Sequence, residues 1–350
     1  MSQHKTLVIL SPGFASSEED TSCLPMQQHL VKAFNEVAPE VNIIILSFQY
    51  PYHHGVYNWF GNVVFSFNGR NRGGLQRLFL RRKIHTVLRE LNKRSPISGL
   101  LSFWYGECAV SGKRFGDQYG IPHYCWISGQ DARKENKYPA RASLKSTELI
   151  AISDFIRDEF EKNHKTRPFR VIVPGIDIGS FKNEERDIDI LGAGSLIPLK
   201  RFDIFLETVS GLKKQFPGIR VVLAGDGTEK EKLIAMANDF KLETNIEFRG
   251  AVKHHEVLQL MKRTKVLLHP SSYEGFSGVC LEALAAGAHV ISFTKAMKED
   301  INQWHIAETS EAMLSIAASI LEHTNTSFDP SNSFSINDTA RNFLDLFFRD

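Results

Sequence analysis

His269-Pro-Ser-Ser-Tyr-Glu-Gly-Phe-Ser-Gly-Val-Cys-Leu-Glu-Ala-Leu-Ala-Ala-Gly287, followed by His289-Val-Ile-Ser292, reads as strand, loop, helix, strand. Pro270, Ser271 and Ser272 end the first strand, and Gly275 and Gly278 keep the loop backbone bare. The helix is expected from about Ser277 to Ala286, with Gly287 as its stop. A glycine-containing loop at a helix N-terminus presents unpaired N–H groups and a positive dipole end, which suits a diphosphate. Glu274 lies in the loop and Glu282 one to two turns inside the helix, so two carboxylates face different parts of one ligand. Carboxylates accept hydrogen bonds from hydroxyls, and a nucleotide sugar offers hydroxyls on both its ribose and its hexose.

Outward from this stretch the pattern repeats. Apolar runs at Ile188–Leu191, Arg220–Ala224, Ile246–Phe248, Val266–Leu268 and Ala288–Ser292 read as strands of one series. An earlier series comprises Leu7–Leu10, Val41–Leu46, Gly99–Phe103, Pro122–Ile127, Glu148–Ile152 and Arg170–Val173. Helical segments such as Met26–Phe34, Leu75–Leu91 and Ala109–Tyr119 separate the strands, and Ser153 is a candidate helix N-cap. Strands alternating with helices imply parallel sheets covered on both faces. The first strand is expected to end in a turn at Ser11-Pro-Gly13. The charged stretch 181–187 reads as a solvated linker. Two successive α/β units imply a cleft between them, a preferred place for small molecules. The expected domains are 1–173, 174–335, and a terminal amphipathic helix, 336–350, packing back toward the first domain.

The chain has 350 residues, 42% of them hydrophobic, and a formal net charge of +2, which gives no global reason to expect nucleic acid. Cys23, Cys108, Cys125 and Cys280 are far apart and read as reduced, buried thiols of a cytoplasmic protein. The apolar run Thr6–Leu10 is too short for a signal peptide or for a membrane span of about 20 residues.

With seven residues between its two carboxylates, the 269–292 segment resembles the signature of retaining GT-B glycosyltransferases, in particular the GT4 family. Leu191–Asp203, Val222–Gly227 and Phe248–Lys253 are similar to the family's donor-domain segments, in the family's order. Pro174-Gly-Ile-Asp177 with Phe181 resembles its interdomain segment. Gly120-Ile-Pro122 followed by Ser128-Gly-Gln-Asp131 resembles its acceptor-domain pattern. The resemblance implies an α/β fold of the GT-B kind, two Rossmann-like domains facing across a cleft. It implies transfer of a hexosyl-type sugar from a nucleoside-diphosphate sugar to a glycan, lipid or small-molecule acceptor, with retention of configuration. By the same resemblance Lys200 and Glu274 are the catalytic candidates, Lys200 neutralising the leaving diphosphate. Gly13, Phe14, Ser195, Arg201, Gly225, Val252, Gly275, Phe276, Ser277, Gly278 and Glu282 are the donor-binding candidates. Glu107 and Asp131 are the acceptor-side candidates, Glu107 alternatively capping the next helix. No metal or other cofactor is expected.

Two departures stand out. Ser195 occupies the place of the family's donor arginine, with Arg201 the nearest substitute, and Ser128 occupies the place of a histidine. They keep open a non-catalytic nucleotide-sugar-binding relative, and a sugar-nucleotide epimerase on the same fold is a further alternative. A nucleotide-dependent dehydrogenase is disfavoured, because Ile197 stands where the third glycine of G-x-G-x-x-G belongs.

Between Glu40 and Glu90 there is no acidic residue, yet there are seven basic ones, Arg70, Arg72, Arg77, Arg81, Arg82, Lys83 and Arg89. Tyr50, Tyr52, Tyr57, Trp59, Phe60, Phe65 and Phe67 crowd the first half of this region. Two readings follow. One is a basic helix beside exposed aromatics that meets the inner face of a membrane or a phosphorylated lipid acceptor. The other is a solvated helix face beside a core loop.

Overall fold

A computed structural model describes residues 5–176, 185–323, 326–330 and 334–348. Asp177 and Phe181 of the interdomain motif lie outside them. The chain divides into two compact units, Met1–Asp177 with Phe334–Asp350, and Ile178–Ser333.

The first unit runs β1 (Thr6–Gly13), α1 (Pro25–Val37), β2 (Asn42–Tyr50), β3 (His54–Trp59), β4 (Asn62–Phe67), α2 (Gly74–Arg94) and β5 (Gly99–Phe103). It continues with α3 (Glu107–Tyr119), β6 (His123–Ile127), α4 (Pro139–Ala142), β7 (Leu149–Ala151), α5 (Asp154–His164) and β8 (Arg170–Val171). The eight strands form one sheet, ordered β3-β4-β2-β1-β5-β6-β7-β8. All neighbours are parallel except β3 and β4. Strands buried on both faces read as continuous apolar runs, as in Leu7–Leu10 and Ile43–Leu46. One face packs Val8, Leu10, Ile44 and Leu46 against Leu80, Ile84 and Leu88 of α2 and Phe115 of α3. The C-terminal helix, Ile336–Phe348, belongs to this unit and packs against α1. Ser153 caps α5 by accepting the Ile156 N–H at 3.1 Å.

Three local expectations are corrected here. The first strand does not turn at Ser11; it runs to Gly13, and the pairing with β2 shifts register around Pro12, which has no N–H to give the ladder. The aromatic stretch after Tyr52 is a β-hairpin, with Phe60 and Gly61 both at positive φ in its two-residue turn. Its aromatics are therefore not uniformly exposed, for Trp59 and Phe67 are buried while Tyr52 and Phe60 face solvent.

The second unit runs β9 (Ile188–Ala193), α6 (Phe202–Gln215), β10 (Val221–Ala224), α7 (Lys230–Asp239), β11 (Ile246–Gly250) and α8 (His254–Lys262). Then follow β12 (Thr264–His269), α9 (Gly278–Ala285), β13 (His289–Ser292), β14 (Trp304–Ile306) and α10 (Ser310–Glu322). The sheet order is β11-β10-β9-β12-β13-β14, all parallel. Ile190, Leu223, Val266 and Leu268 meet Phe205, Val209 and Leu212 of α6 and Met313 and Ala317 of α10 in its core. The described end of the supposed solvated linker is anchored. Arg186 donates to the carbonyls of Thr264 and Ala286, and Asp187 pairs with Arg263. All four cysteines are free; Cys23 is only half-buried. No helix among the described residues is long and apolar enough to cross a membrane.

Candidate functional site

In the second unit the strand order reverses between β9 and β12. In open parallel sheets the crevice beyond the carboxyl ends of such a strand pair is where ligands bind. The loops leaving these two strands carry Gly194–Arg201 and Pro270–Ser277. They are stitched together at Leu199, whose carbonyl accepts the Ser272 N–H at 3.0 Å and the Ser271 hydroxyl at 3.3 Å. That stitch brings Lys200, on the short 3-10 turn Pro198–Lys200, to Glu274, with Nζ 2.6 Å from Oε2.

His269 completes the cluster. Its side chain is 4% exposed, and Nε2 lies 3.3 Å from the same carboxylate oxygen. Burial holds the imidazole below its usual pKa, so it is neutral near pH 7 and donates from Nε2. For Glu274 burial pushes the pKa up, but the His269 hydrogen bond and the Lys200 charge outweigh it and bring it to about 2. The carboxylate is thus ionised across the physiological range, half-buried against one cation and one neutral donor.

Beside it begins α9. Ser277 is buried in extended conformation and gives no side-chain cap, and a Cβ on Gly278 would meet open space. The first N–H groups of a helix have no intrahelical acceptor. Gly275 is buried in this loop, and Phe276 fixes its inner side by packing edge-on against Trp304, ring centroids 5.8 Å apart. Glu282 lies further along α9, and its Oε1 is 2.8 Å from His254 Nε2 at the start of α8. The sequence reading missed His254, because 28 residues separate it from Glu282 and no periodic pattern links them.

The remaining candidates of this unit take varied places. Ser195 is exposed just after β9, and Val252 is half-buried ahead of α8. Gly225 donates its N–H to Gly250 at 2.8 Å, and a Cβ there would overlap the Gly194 carbonyl, so close loop packing demands glycine. Arg201, the nearest substitute for the missing arginine, is paired within its own turn. Its guanidinium is engaged by Asp203, with contacts of 3.0 to 3.1 Å. Asp187-Ile-Asp189 has the spacing of a metal-binding Asp-x-Asp, but Arg263 and Lys265 hold its two carboxylates.

In the first unit the order reverses between β1 and β5, and Gly13 and Glu107 flank their carboxyl ends. The ring of Phe14 is fully buried edge-on against Trp59, and its N–H donates to the Tyr50 carbonyl. Gly13 is buried against Cys23 and Tyr50. Glu107 is the first residue of α3, where a carboxylate suits the helix dipole. Arg81 grips it at 2.5 and 3.0 Å, Tyr138 donates at 2.7 Å, and Arg77 approaches to 3.4 Å, so in this arrangement its oxygens are taken. Asp131 is turned inward, 5% exposed, and accepts the Ser128 N–H at 2.8 Å. Burial raises its pKa to about 7 against that hydrogen bond.

Residues 176–322 match the family model described as Glycosyl transferases group 1. The gpi3 subunit of phosphatidylinositol N-acetylglucosaminyltransferase from Schizosaccharomyces pombe is 36% identical over 93 residues, 27% of this chain and 20% of that protein. Mycobacterium tuberculosis glycogen synthase is 28% identical over 177 residues, covering 49% of this chain and 43% of its own. The chain thus spans less than half the length of these two curated relatives. Among solved structures, Anabaena HepE in complex with UDP and glucose superposes with TM-score 0.65 at 18% identity, over 99% of this chain and 96% of that one. The lipopolysaccharide outer core galactosyltransferase WaaB gives TM-score 0.68 at 15% identity, over 97% and 98% of the two chains. At these identities the likeness speaks for the fold, two parallel-sheet α/β domains of the GT-B class.

The pair at the start of α8 makes a pH prediction. The Glu282 hydrogen bond raises the His254 pKa, and burial opposes it more weakly. A raised folded-state value stabilises the fold fully below the unfolded pKa, about 6.5, and the benefit fades as pH rises through the folded value. The Tm gap between the parent chain and His254→Ala should therefore be widest near pH 5.5 and shrink toward pH 8, by about those bounds. A gap independent of pH in differential scanning fluorimetry would contradict the pairing.

Proposed function

We propose that this chain is a GT4-type glycosyltransferase that moves a hexosyl-type sugar from a nucleoside-diphosphate sugar to a glycan, lipid or small-molecule acceptor, with retention. The observation that carries the reading is the meeting of Lys200, Glu274 and the α9 N-terminus at the switch point of a group 1 domain. In this reading the nucleoside diphosphate is the leaving group. Negative charge develops on it as the glycosidic bond breaks, and Lys200 turns from Glu274 to meet that charge. The N–H groups from Gly275 to Gly278 hold the phosphates. Glu274, freed of its lysine, accepts hydrogen bonds from the sugar, and Glu282 from the ribose. Positive charge comes from the protein itself, so no metal is called for. HepE is described in complex with UDP and glucose, which makes a UDP-hexose the first donor to test. The free thiols fit a reducing, cytoplasmic compartment.

A non-catalytic nucleotide-sugar binder is the second reading, favoured by the uncharged Ser195 and by Arg201 held on Asp203. A thermal-shift series with UDP, GDP, ADP and their sugars, run beside Glu282→Ala, separates the cases. Saturation at 100 times the dissociation constant adds about 2.7 kcal/mol of stability. A shift with one nucleotide that Glu282→Ala loses, together with glycosylated product, supports transfer. A shift without turnover supports the binder, and an altered donor sugar without acceptor glycosylation marks an epimerase. No shift with any nucleotide sinks the donor site.

A further inference from the structure

The first unit carries a surface that the proposed chemistry does not use. Helix α2 has two apolar stripes. Leu80, Ile84 and Leu88, four residues apart, face the core. Leu75, Leu78 and Phe79 recur at the same helical spacing on the opposite side and are 72%, 50% and 56% exposed. Phe79 shares a surface groove with Val56 of the edge strand β3, itself 62% exposed, and Arg82 and Lys83 stand on its rim. Tyr52, also exposed, lies under the Arg70 guanidinium at 5.4 Å.

The charges are sorted as well. Glu107 engages Arg77 and Arg81 on the inner side of the helix, whereas Arg70, Arg72, Arg82 and Lys83 are exposed with no carboxylate in sequence from Val41 to Arg89. A merely solvated face has no reason to present leucine and phenylalanine in register, and contiguous exposed apolar groups mark interaction surfaces. An apolar stripe flanked only by cations is the composition of an element that lies in a membrane interface.

We propose that β3 and the first half of α2 form a docking face for an anionic lipid bilayer. Leu75, Leu78, Phe79 and Val56 enter the headgroup–acyl boundary, and Arg70, Arg72, Arg82 and Lys83 meet lipid phosphates. This stands independently of the sugar-transfer reading.

The test is co-sedimentation of the full chain with vesicles. One set is pure phosphatidylcholine and the other equal parts phosphatidylcholine and phosphatidylglycerol. Binding is expected to the anionic vesicles only, and to weaken with salt as screening shortens the reach of the charges. Arg82→Ala with Lys83→Ala should lower the partition coefficient about 30-fold, from about 1 kcal/mol per basic residue near the surface. Leu75→Ser with Phe79→Ser should lower it by about tenfold or more. All four side chains are exposed, so an unchanged Tm confirms that each variant folds. Absent or charge-indifferent binding by the parent chain, or undiminished binding by either variant, overturns the proposal. So does a gel-filtration dimer that Leu75→Ser with Phe79→Ser dissolves in a chain that ignores vesicles, for the face would then be a self-contact.

Discussion

Lys200→Ala should lower the rate of sugar transfer by about 10²- to 10³-fold, the usual cost of removing one preorganised donor from a developing anion. The loss should fall on kcat more than on KM, because the charge that Lys200 meets grows only as the diphosphate departs. With side chains 19% and 23% exposed, Lys200 and Glu274 are largely buried, so removing the lysine should cost the fold more than the about 0 to 1 kcal/mol of a pair open to solvent. Glu274 keeps the His269 N–H after the lysine is gone. Initial rates at saturating donor, with a thermal melt of the same preparation, are the measurement. A variant that retains activity within about tenfold of the parent would remove Lys200 from the mechanism.

Phe343→Ala should destabilise the first unit by about 3 to 5 kcal/mol, the range for emptying a buried aromatic site. Phe343 is fully buried on the C-terminal helix, its ring edge-on to Trp126 at 5.1 Å and to Phe34 at 6.4 Å. Few neighbours can relax into the space, since the strand beneath and α1 beside it are held by their own ladders. Urea titration followed by tryptophan fluorescence reads the change, as Trp126 lines the site. A loss below about 1 kcal/mol would mean that the helix is not seated on this core.

The two predictions draw on different kinds of legibility. Lys200 and Glu274 were nameable from the chain because each sits in a loop with a recognisable pattern. Their contact was not, since 74 residues separate them and only the Leu199 stitch brings the loops together. His254 carried no signal at all, being one of two adjacent histidines at a helix start. The burial of Phe14 was hidden for a related reason: a loop after a first strand looks open in sequence, and the packing of its aromatic depends on Trp59, 45 residues on. The β3–β4 hairpin was missed although its alternation and its Phe-Gly turn were present, because a dense aromatic run obscures the period of two. The charges of Glu107 and Arg201 were plain in the sequence, but their pairing with Arg81 and Asp203 was not.

The run of elements is legible along the chain: continuous apolar stretches become buried parallel strands, amphipathic segments become their covering helices, and the glycine loop at 275–278 starts α9. These follow from local sterics, hydrogen bonding and hydrophobic period, all of which act over a few residues. Tertiary packing set which carboxylates meet a lysine or histidine and which meet arginines. It also decided which of the two apolar stripes of α2 is buried. Those outcomes depend on Coulomb and packing partners tens of residues away, and distance in space is not written in the spacing along the chain.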